Sequence, residues 1–543
     1  MAPAYDYIVI GAGSAGCVLA NRLSEDDRAS VLLVEAGGRD RDPYIHIPLG
    51  VGKLWADRRY DWGYDTEPEP NLDGREIETL RGKVLGGSSA INSMAHVRGN
   101  RADYDQWRQS GLTGWGYSDV LPYFKRTESW EGGADTYRGG DGPLTISKPR
   151  YRDPLFDAYI DAAKAAGHPF VADYNGADQH GISTMQLTIR DGWRCTAAVA
   201  YLRPAMGRSN LTVRTKSLVT RILIENDRAV GVGLAQSGGE ETVGATREVI
   251  LCGGAINSPQ VLMLSGIGPA AHLKEQGIEP IVDHPGVGKD LQDHLTSMIE
   301  FRRRSPGPFQ REMRFDRLAF NMVRAYLVGT GPASMVPGRL TAFLKTDPAL
   351  ERPDIQCFFR AIPHGGGPWF PVIRPSGPDG FSCRPVMLRP ESRGEISLTS
   401  ADPRDRVRIR QNFLSTERDK QVLRDGFKLV REMAMQKPLD PFRDVEVQPG
   451  ADVKSDADID AYIRRTAVTA RHPCGTCRMG ADEGAVLDEY LCVRGIEALR
   501  VIDASSMPGL VGGNINAAVL MIAERGADLI RGLNPLPVEV GAG

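Results

Sequence analysis

The chain has 543 residues, a formal charge of −3 and a pI near 6.4: too long for one ordinary core, and without the net basic charge that usually marks a nucleic-acid partner. Its composition, 41% hydrophobic and 25% charged, is that of a globular protein, and no apolar run approaches the ~20 residues of a membrane helix, so no integral membrane segment is expected. Met1-Ala2-Pro3-Ala4 leads straight into a strand with no signal or transit sequence, which points to a cytoplasmic location, and the eight scattered cysteines suit reduced thiols there better than a disulfide frame.

In chain order, residues 5–10 read Tyr-Asp-Tyr-Ile-Val-Ile, a β-branched run that predicts a buried parallel strand. Gly11-Ala12-Gly13-Ser14-Ala15-Gly16 then matches G-x-G-x-x-G. Residues 17–23 predict a helix, and residues 30–34 a second strand that Glu35 ends, ahead of Ala36. Glu35 follows Gly11 by about two dozen residues, close to the roughly 20 of the dinucleotide fingerprint. Gly11 permits the tight turn, Gly13 lets backbone approach a pyrophosphate, and Gly16 lets helix and strand pack closely. The helix N-terminus at Ser14 and Ala15 offers N–H groups to phosphate, and Glu35 can accept from ribose hydroxyls. This fingerprint alone does not separate FAD from NAD.

Tyr60-Asp61-Trp62-Gly63-Tyr64 is an aromatic segment centred on Trp62. Arg81 opens a segment in which Gly86-Gly87-Ser88-Ser89 is a run of small residues anchored by Val84, Leu85 and Ile91. Such a run can lie flat along a ring or diphosphate. Helices are expected at residues 154–166 and 417–435. Strands are expected at 211–213, 221–224, 248–252 (leading into Gly253-Gly254), 355–360, 385–388 and 395–399. Gly266-Ile267-Gly268 follows a helix rather than a strand. Gly286-Val287-Gly288-Lys289 lacks the earlier glycine of a P-loop and has Asp290 where Ser or Thr belongs, so neither is a nucleotide site. The aromatic, glycine-rich stretch 357–370, through Phe358, Phe359, His364, Trp369 and Phe370, is either a mobile loop over a pocket or an ordinary surface loop. Cys474 and Cys477 have redox spacing but no second pair to make a zinc site, and no metal is expected. Asp503 ends an apolar strand, 499–502, where it can cap a helix, receive cofactor hydroxyls, or both.

Several of these segments together resemble the glucose–methanol–choline (GMC) oxidoreductase family. The carriers are residues 81–92; Gly254-Ala255-Ile256-Asn257-Ser258-Pro259 through Gly268; Gly286-Val287-Gly288 with Leu291-Gln292-Asp293-His294; His472-Pro473-Cys474-Gly475-Thr476; and Val501 to Ser505 with Asn514-Ile515-Asn516-Ala517. The similarity extends to members like bacterial choline dehydrogenases and aryl- or furfuryl-alcohol oxidases. It implies an α/β chain (α+β overall), with a Rossmann-like FAD-binding domain at 1–150, 195–293 and 466–543. An interleaved substrate domain of antiparallel sheet backed by helices would take 151–194 and 294–465. It further implies FAD contacts through Asn92, Met94, Ala95, Val219 (a backbone contact to adenine), Gly253, Asp503, Ala504, Asn516 and Ala517, besides the residues above. Where some members tether FAD through histidine this chain has Ile91, so a non-covalent flavin is expected.

The chemistry implied is oxidation of a small-molecule alcohol, with hydride passing to flavin and on to O2 or another acceptor. A proton must leave the hydroxyl, and histidine suits that near neutrality. Of the nine histidines, His472 sits in the family's catalytic motif and is the expected base. Asn514 is expected to hydrogen-bond the substrate oxygen, although Asn516 could exchange roles with it. His96 could face the substrate or fill an aromatic slot. The alternatives are an FAD-containing lyase of the hydroxynitrile-lyase kind and a non-catalytic flavin-binding scaffold.

Overall fold

A computed structural model describes residues 4–236, 239–363 and 366–539; the N-terminal Met1-Ala2-Pro3 and, in the aromatic stretch, His364 and Gly365 lie outside the described residues. Two sheets organise the chain. The first is built on Ala4–Ile10, whose apolar run is buried as expected where both sheet faces are covered. It pairs in parallel with Val31–Glu35 and with Gly239–Leu251, and Leu211–Thr215 extends the sheet beyond Val31–Glu35. Gly239–Leu251 is long enough to serve two further partners. Its first half pairs antiparallel with Arg228–Gln236, which in turn pairs with Val219–Glu225, while its last residues carry Leu499–Val501 in parallel. The helix Ser14–Leu23 packs against the C-terminal helix Asn516–Arg531. Arg22 Nε and Nη2 clamp the Glu524 carboxylate at 2.9 and 2.8 Å, joining the two ends of the sequence.

The second sheet is antiparallel, in the order Arg443–Gln448, Ile299–Arg303, Gly380–Met387, Ile355–Arg360, Gly338–Leu344, Gly181–Thr184. Helices Pro154–Ala165 and Glu417–Ala434 cover one face, where Phe156, Tyr159, Leu423 and Phe427 pack on Ile355, Cys357, Phe381 and Cys383. Side chains alternate along a strand, so Phe358, Arg360, Arg384 and Val386 point the other way, into a cavity shared with the first sheet.

The fold class matches the expectation from sequence. Element ends differ where turn signals were weak: the strand expected at 385–388 is the end of Gly380–Met387, and that at 395–399 is only Glu395–Ser397. Phe315–Val328 forms a helix that the residue pattern did not announce. Phe320, Val323 and Leu327 on it are exposed, so no apolar stripe marks a buried face.

Candidate active site

At one end of the cavity the glycine turn is built by close backbone approach. Gly11 has φ +97°, and a Cβ there would lie 2.6 Å from the Cys252 carbonyl oxygen; one on Gly16 would lie 1.9 Å from the Gly11 carbonyl oxygen. Gly13 faces open space, and Gly87, at φ +53°, approaches its Cα so closely that a Cβ would stand 2.7 Å away. No side chain caps the helix that begins at Ser14, so its first N–H groups are left for an anion. The Glu35 carboxylate accepts from Ala12 N (2.9 Å) and Gly37 N (2.7 Å), and burial pushes it up to about 7. Ser14 Oγ donates to Asn516 Oδ1 at 2.6 Å, tying the turn to the tail. Asp503 accepts from Gly254 N, Ser258 Oγ, Ser505 N and Ser505 Oγ, so it caps the Ala504–Ser506 turn and the helix Gly254–Leu264 together.

The cavity continues from there for about 1550 Å³, beyond the ~300–1,000 Å³ of a single small-ligand site. Gly11, Gly13, Ser14, Ala15, Glu35, Ala36, Trp62, Arg81, Gly87, Ser88, Asn92, Met94, Ala95, Val219, Gly253, Asp503, Ala504 and Asn516 line it, as do His472 and Asn514. Gly16, Val84, Gly86 and Ala517, all expected to touch a cofactor, do not. Gly16 presses helix to turn, Val84 is buried with Ile45, Leu54, Ala90 and Ile91, Gly86 N donates to Ala12 O at 2.8 Å, and Ala517 is buried in the first turn of the last helix. Ile91, which offers no nucleophile, is on the wall.

At the far end His472 is buried between two partners. Its Nδ1 lies 2.9 Å from His294 Nδ1, and its Nε2 lies 3.0 Å from Asn514 Nδ2. The protons follow from the chain of contacts. His294 Nε2 is 3.1 Å from the Leu388 carbonyl, which can only accept, so that nitrogen carries the proton. His294 Nδ1 is then an acceptor, His472 Nδ1–H donates to it, and His472 Nε2 carries the lone pair, which accepts from Asn514 Nδ2–H. Burial holds His294 down at about 3. Burial, then the neighbouring His294, Arg81 and Arg471, holds His472 well below the ordinary imidazole range, so both rings are neutral. Asp293 fixes the His472 backbone, accepting from its N–H at 2.7 Å. Arg471 just before it sits at φ +69°, and Met94 opposite at φ +66°, a conformation that costs a non-glycine residue free energy and clusters at functional sites. Asn514 Oδ1 accepts from Gln356 Nε2 at 3.4 Å, which sets the amide's orientation.

Other candidates fall elsewhere. His96 is buried off the cavity wall, 3.2 Å from Glu128 Oε2, in a cluster with Arg98 and Arg138. Cys474 and Cys477 are free and fully buried, and burial pushes both thiols up, away from the thiolate that redox exchange needs. Among the described residues no group of three or more His, Cys, Asp and Glu could hold a metal. The sequence reading quoted His294 only as part of a motif, and missed Gln356, Arg360 and Arg384. The one signal for the arginines was a charge inside each of two otherwise apolar strands.

Comparison with known proteins completes the picture. Family profiles described as GMC oxidoreductase match residues 5–296 and 390–523. The chain is 43% identical to an oxygen-dependent choline dehydrogenase of Photobacterium profundum over 538 residues, covering 98% of this chain and 94% of that protein. It is equally identical to one of Brucella canis, covering 98% and 96%. Among solved structures, pyridoxine 4-oxidase from Mesorbium loti superposes with a TM-score of 0.86 at 34% identity, over 98% of this chain and all of that one. A formate oxidase variant from Aspergillus oryzae RIB40 gives 0.90 at 27%, over 98% and 99%.

Proposed function

The chain belongs to the GMC oxidoreductase family, and on that premise we propose that His472 takes the proton of a substrate hydroxyl while Asn514 holds its oxygen. It is an FAD-dependent alcohol oxidoreductase. The residues present suit the flavin dinucleotide. The open Gly13, the uncapped helix at Ser14 and Ala15, and Gly87 against Gly13 leave a cradle for a pyrophosphate. Glu35 beside Ala36 would take the ribose, and Val219 the adenine. Trp62, Arg81, Ser88, Asn92, Met94, Ala95, Gly253, Ala504 and Asn516 would line the rest. Gly16, Val84, Gly86 and Ala517 would act by packing. With Ile91 on the wall the flavin is held without a covalent tether.

Bound FAD supplies the hydride acceptor. The protein supplies the base and the geometry. A hydroxyl seated between His472 and Asn514 donates its proton to the Nε2 lone pair and accepts from the Asn514 amide, which stabilises the charge that builds on oxygen. The observation that carries this reading is the His472 Nε2 lone pair, fixed by His294 and set 3.0 Å from the Asn514 amide. Positioned base catalysis is typically worth about 10²–10⁴-fold. His472→Ala should slow anaerobic flavin reduction by an alcohol by that factor while FAD stays bound; a rate equal to wild type would remove His472 from the role. Bleaching of the flavin by the alcohol also separates oxidation from lyase chemistry, and admitting O2 with peroxide detection tests whether O2 is the acceptor.

A further inference from the structure

The wall of the cavity is lopsided in charge. Lys53, Arg81, Arg360, Arg374, Arg384 and Arg471 line it, but among the described residues only two carboxylates do, Glu35 and Asp503. Both belong to the dinucleotide end and are already engaged by N–H and O–H donors. On the face of the second sheet that carries the reacting end, Glu300 stands in the same row as Arg360, across Ser382, but among the described residues no carboxylate of this face lines the cavity wall.

Arg360 and Arg384, on adjacent strands of this sheet, are unpaired. Phe358 stands opposite Arg384, and Arg360 opposite Ser382, on adjacent antiparallel strands. Arg360 and Arg384 are therefore diagonal neighbours on one face, about 7–8 Å apart along the backbone. Neither guanidinium forms an ion pair or hydrogen bond with any described residue, and Arg384 Nε is buried with no partner at all. Burial lowers both; for Arg384, taken down to about 9, the Arg360 and Arg471 charges add to it, and for Arg360 the Arg471 charge does. Two half-buried cations held side by side, neither ion-paired with a described residue, are costly unless a ligand brings the missing charge. Guanidinium is also the group best shaped to grip a carboxylate by paired, charge-assisted hydrogen bonds.

The strand supplies a ruler from the reacting end. Gln356, which touches Asn514, is two residues before Phe358 and four before Arg360. At about 3.4 Å per residue, Arg384 lies one pleat, roughly 7 Å, along from Gln356, and Arg360 roughly 14 Å. Phe358, which stands opposite Arg384, packs with Met185 and Val336 on the same cavity wall. We propose that the substrate is an alcohol carrying a carboxylate or comparable anion across a short apolar spacer such as one aromatic ring, with Arg360 and Arg384 gripping the anion while the hydroxyl meets His472. Quaternary ammonium alcohols of the choline kind are correspondingly disfavoured, since their positive end would face the two arginines. This inference rests on the alcohol-oxidation reading for the hydroxyl end, but the anion grip can be measured without turnover.

The first arm is binding to the FAD-loaded protein, followed by the flavin difference spectrum. Benzoate should bind saturably and at least tenfold more tightly than benzyltrimethylammonium. Arg384→Gln and Arg360→Gln should each weaken benzoate about tenfold or more, and Arg384→Lys should restore part of that. The second arm is anaerobic flavin reduction by 4-(hydroxymethyl)benzoate, benzyl alcohol and choline. In the first of these the carbinol hydride goes to FAD and the hydroxyl proton to His472, giving 4-formylbenzoate. The carboxylate alcohol should exceed both others in kred/Kd by tenfold or more, and its advantage over benzyl alcohol should collapse towards unity in the glutamine variants. Benzoate binding no better than the ammonium compound, affinity unmoved by both glutamine variants, or choline as the preferred reductant would each overturn the proposal. Tight, arginine-dependent benzoate binding with no reduction by any alcohol would uphold the anion site and instead break the hydroxyl reading.

Discussion

His294 touches the proposed reaction only through His472, yet it decides which nitrogen of that ring is free. Its Nδ1 accepts from His472 Nδ1–H at 2.9 Å, so removing it lets the base adopt the wrong tautomer. For His294→Ala we expect flavin reduction to fall roughly 10–100-fold, the usual scale for a group that orients a reacting residue, with FAD content unchanged and the acid limb of the pH profile moved; a profile identical to wild type would reduce His294 to a packing residue. The direction of pH dependence follows from His472. Its affinity for protons is depressed by burial, so the base form prevails at neutrality and activity is lost only as pH falls well below 6.5. A plot of log kred/Kd should therefore stay flat from pH 8 to below 6.5 and drop only under more acid conditions. At this scale spacing made the glycine turn legible, with Gly11 and Gly13 in close backbone approach and Glu35 on the Ala12 amide, whereas His472 was named through a family motif. The sequence was silent on Arg360 and Arg384, whose meeting depends on cross-strand register.

Between residues and the whole lie the elements, and here packing rather than propensity sets the tolerances. Gly16→Ala puts a methyl 1.9 Å from the Gly11 carbonyl oxygen. Backbone must move to relieve that, so the variant should purify with little or no flavin; yellow protein at wild-type stoichiometry would contradict the packing argument. Glu128 follows the helix Tyr117–Thr127, and is fully buried between Arg98 Nη2 (2.5 Å) and Arg138 Nε (2.8 Å), with His96 alongside. Taking one partner from such a set leaves buried cations uncompensated and typically costs about 3–5 kcal/mol. Glu128→Gln should lose stability on that scale in urea melts, while the replacement of an exposed pair such as Lys53–Asp57 should barely register. Strands and helices with clean periodicity were legible, among them Pro154–Ala165 and Glu417–Ala434. Phe315–Val328 was not, because part of its apolar surface faces solvent and gives the pattern no buried face to mark.

Over the whole molecule the sheets are interleaved along the sequence, and contacts between distant segments do the joining. The first sheet begins at Ala4 and receives Leu499–Val501 beside Gly239–Leu251; the helix Asn516–Arg531 lies on Ser14–Leu23. The two-sheet architecture was legible from motif order, but the pairing of residues some 500 positions apart, Ser14 with Asn516 and Arg22 with Glu524, exists only in three dimensions. The glycine turn near the start of the chain therefore waits for the last helix to be completed. While a ribosome still holds residues 499–531 in its exit tunnel, the emerged portion has the phosphate cradle but no lid of helix behind it. Flavin capture thus needs residues 499–531 to have folded onto the turn, and stalled nascent chains ending before residue 499 should be colourless even in excess FAD.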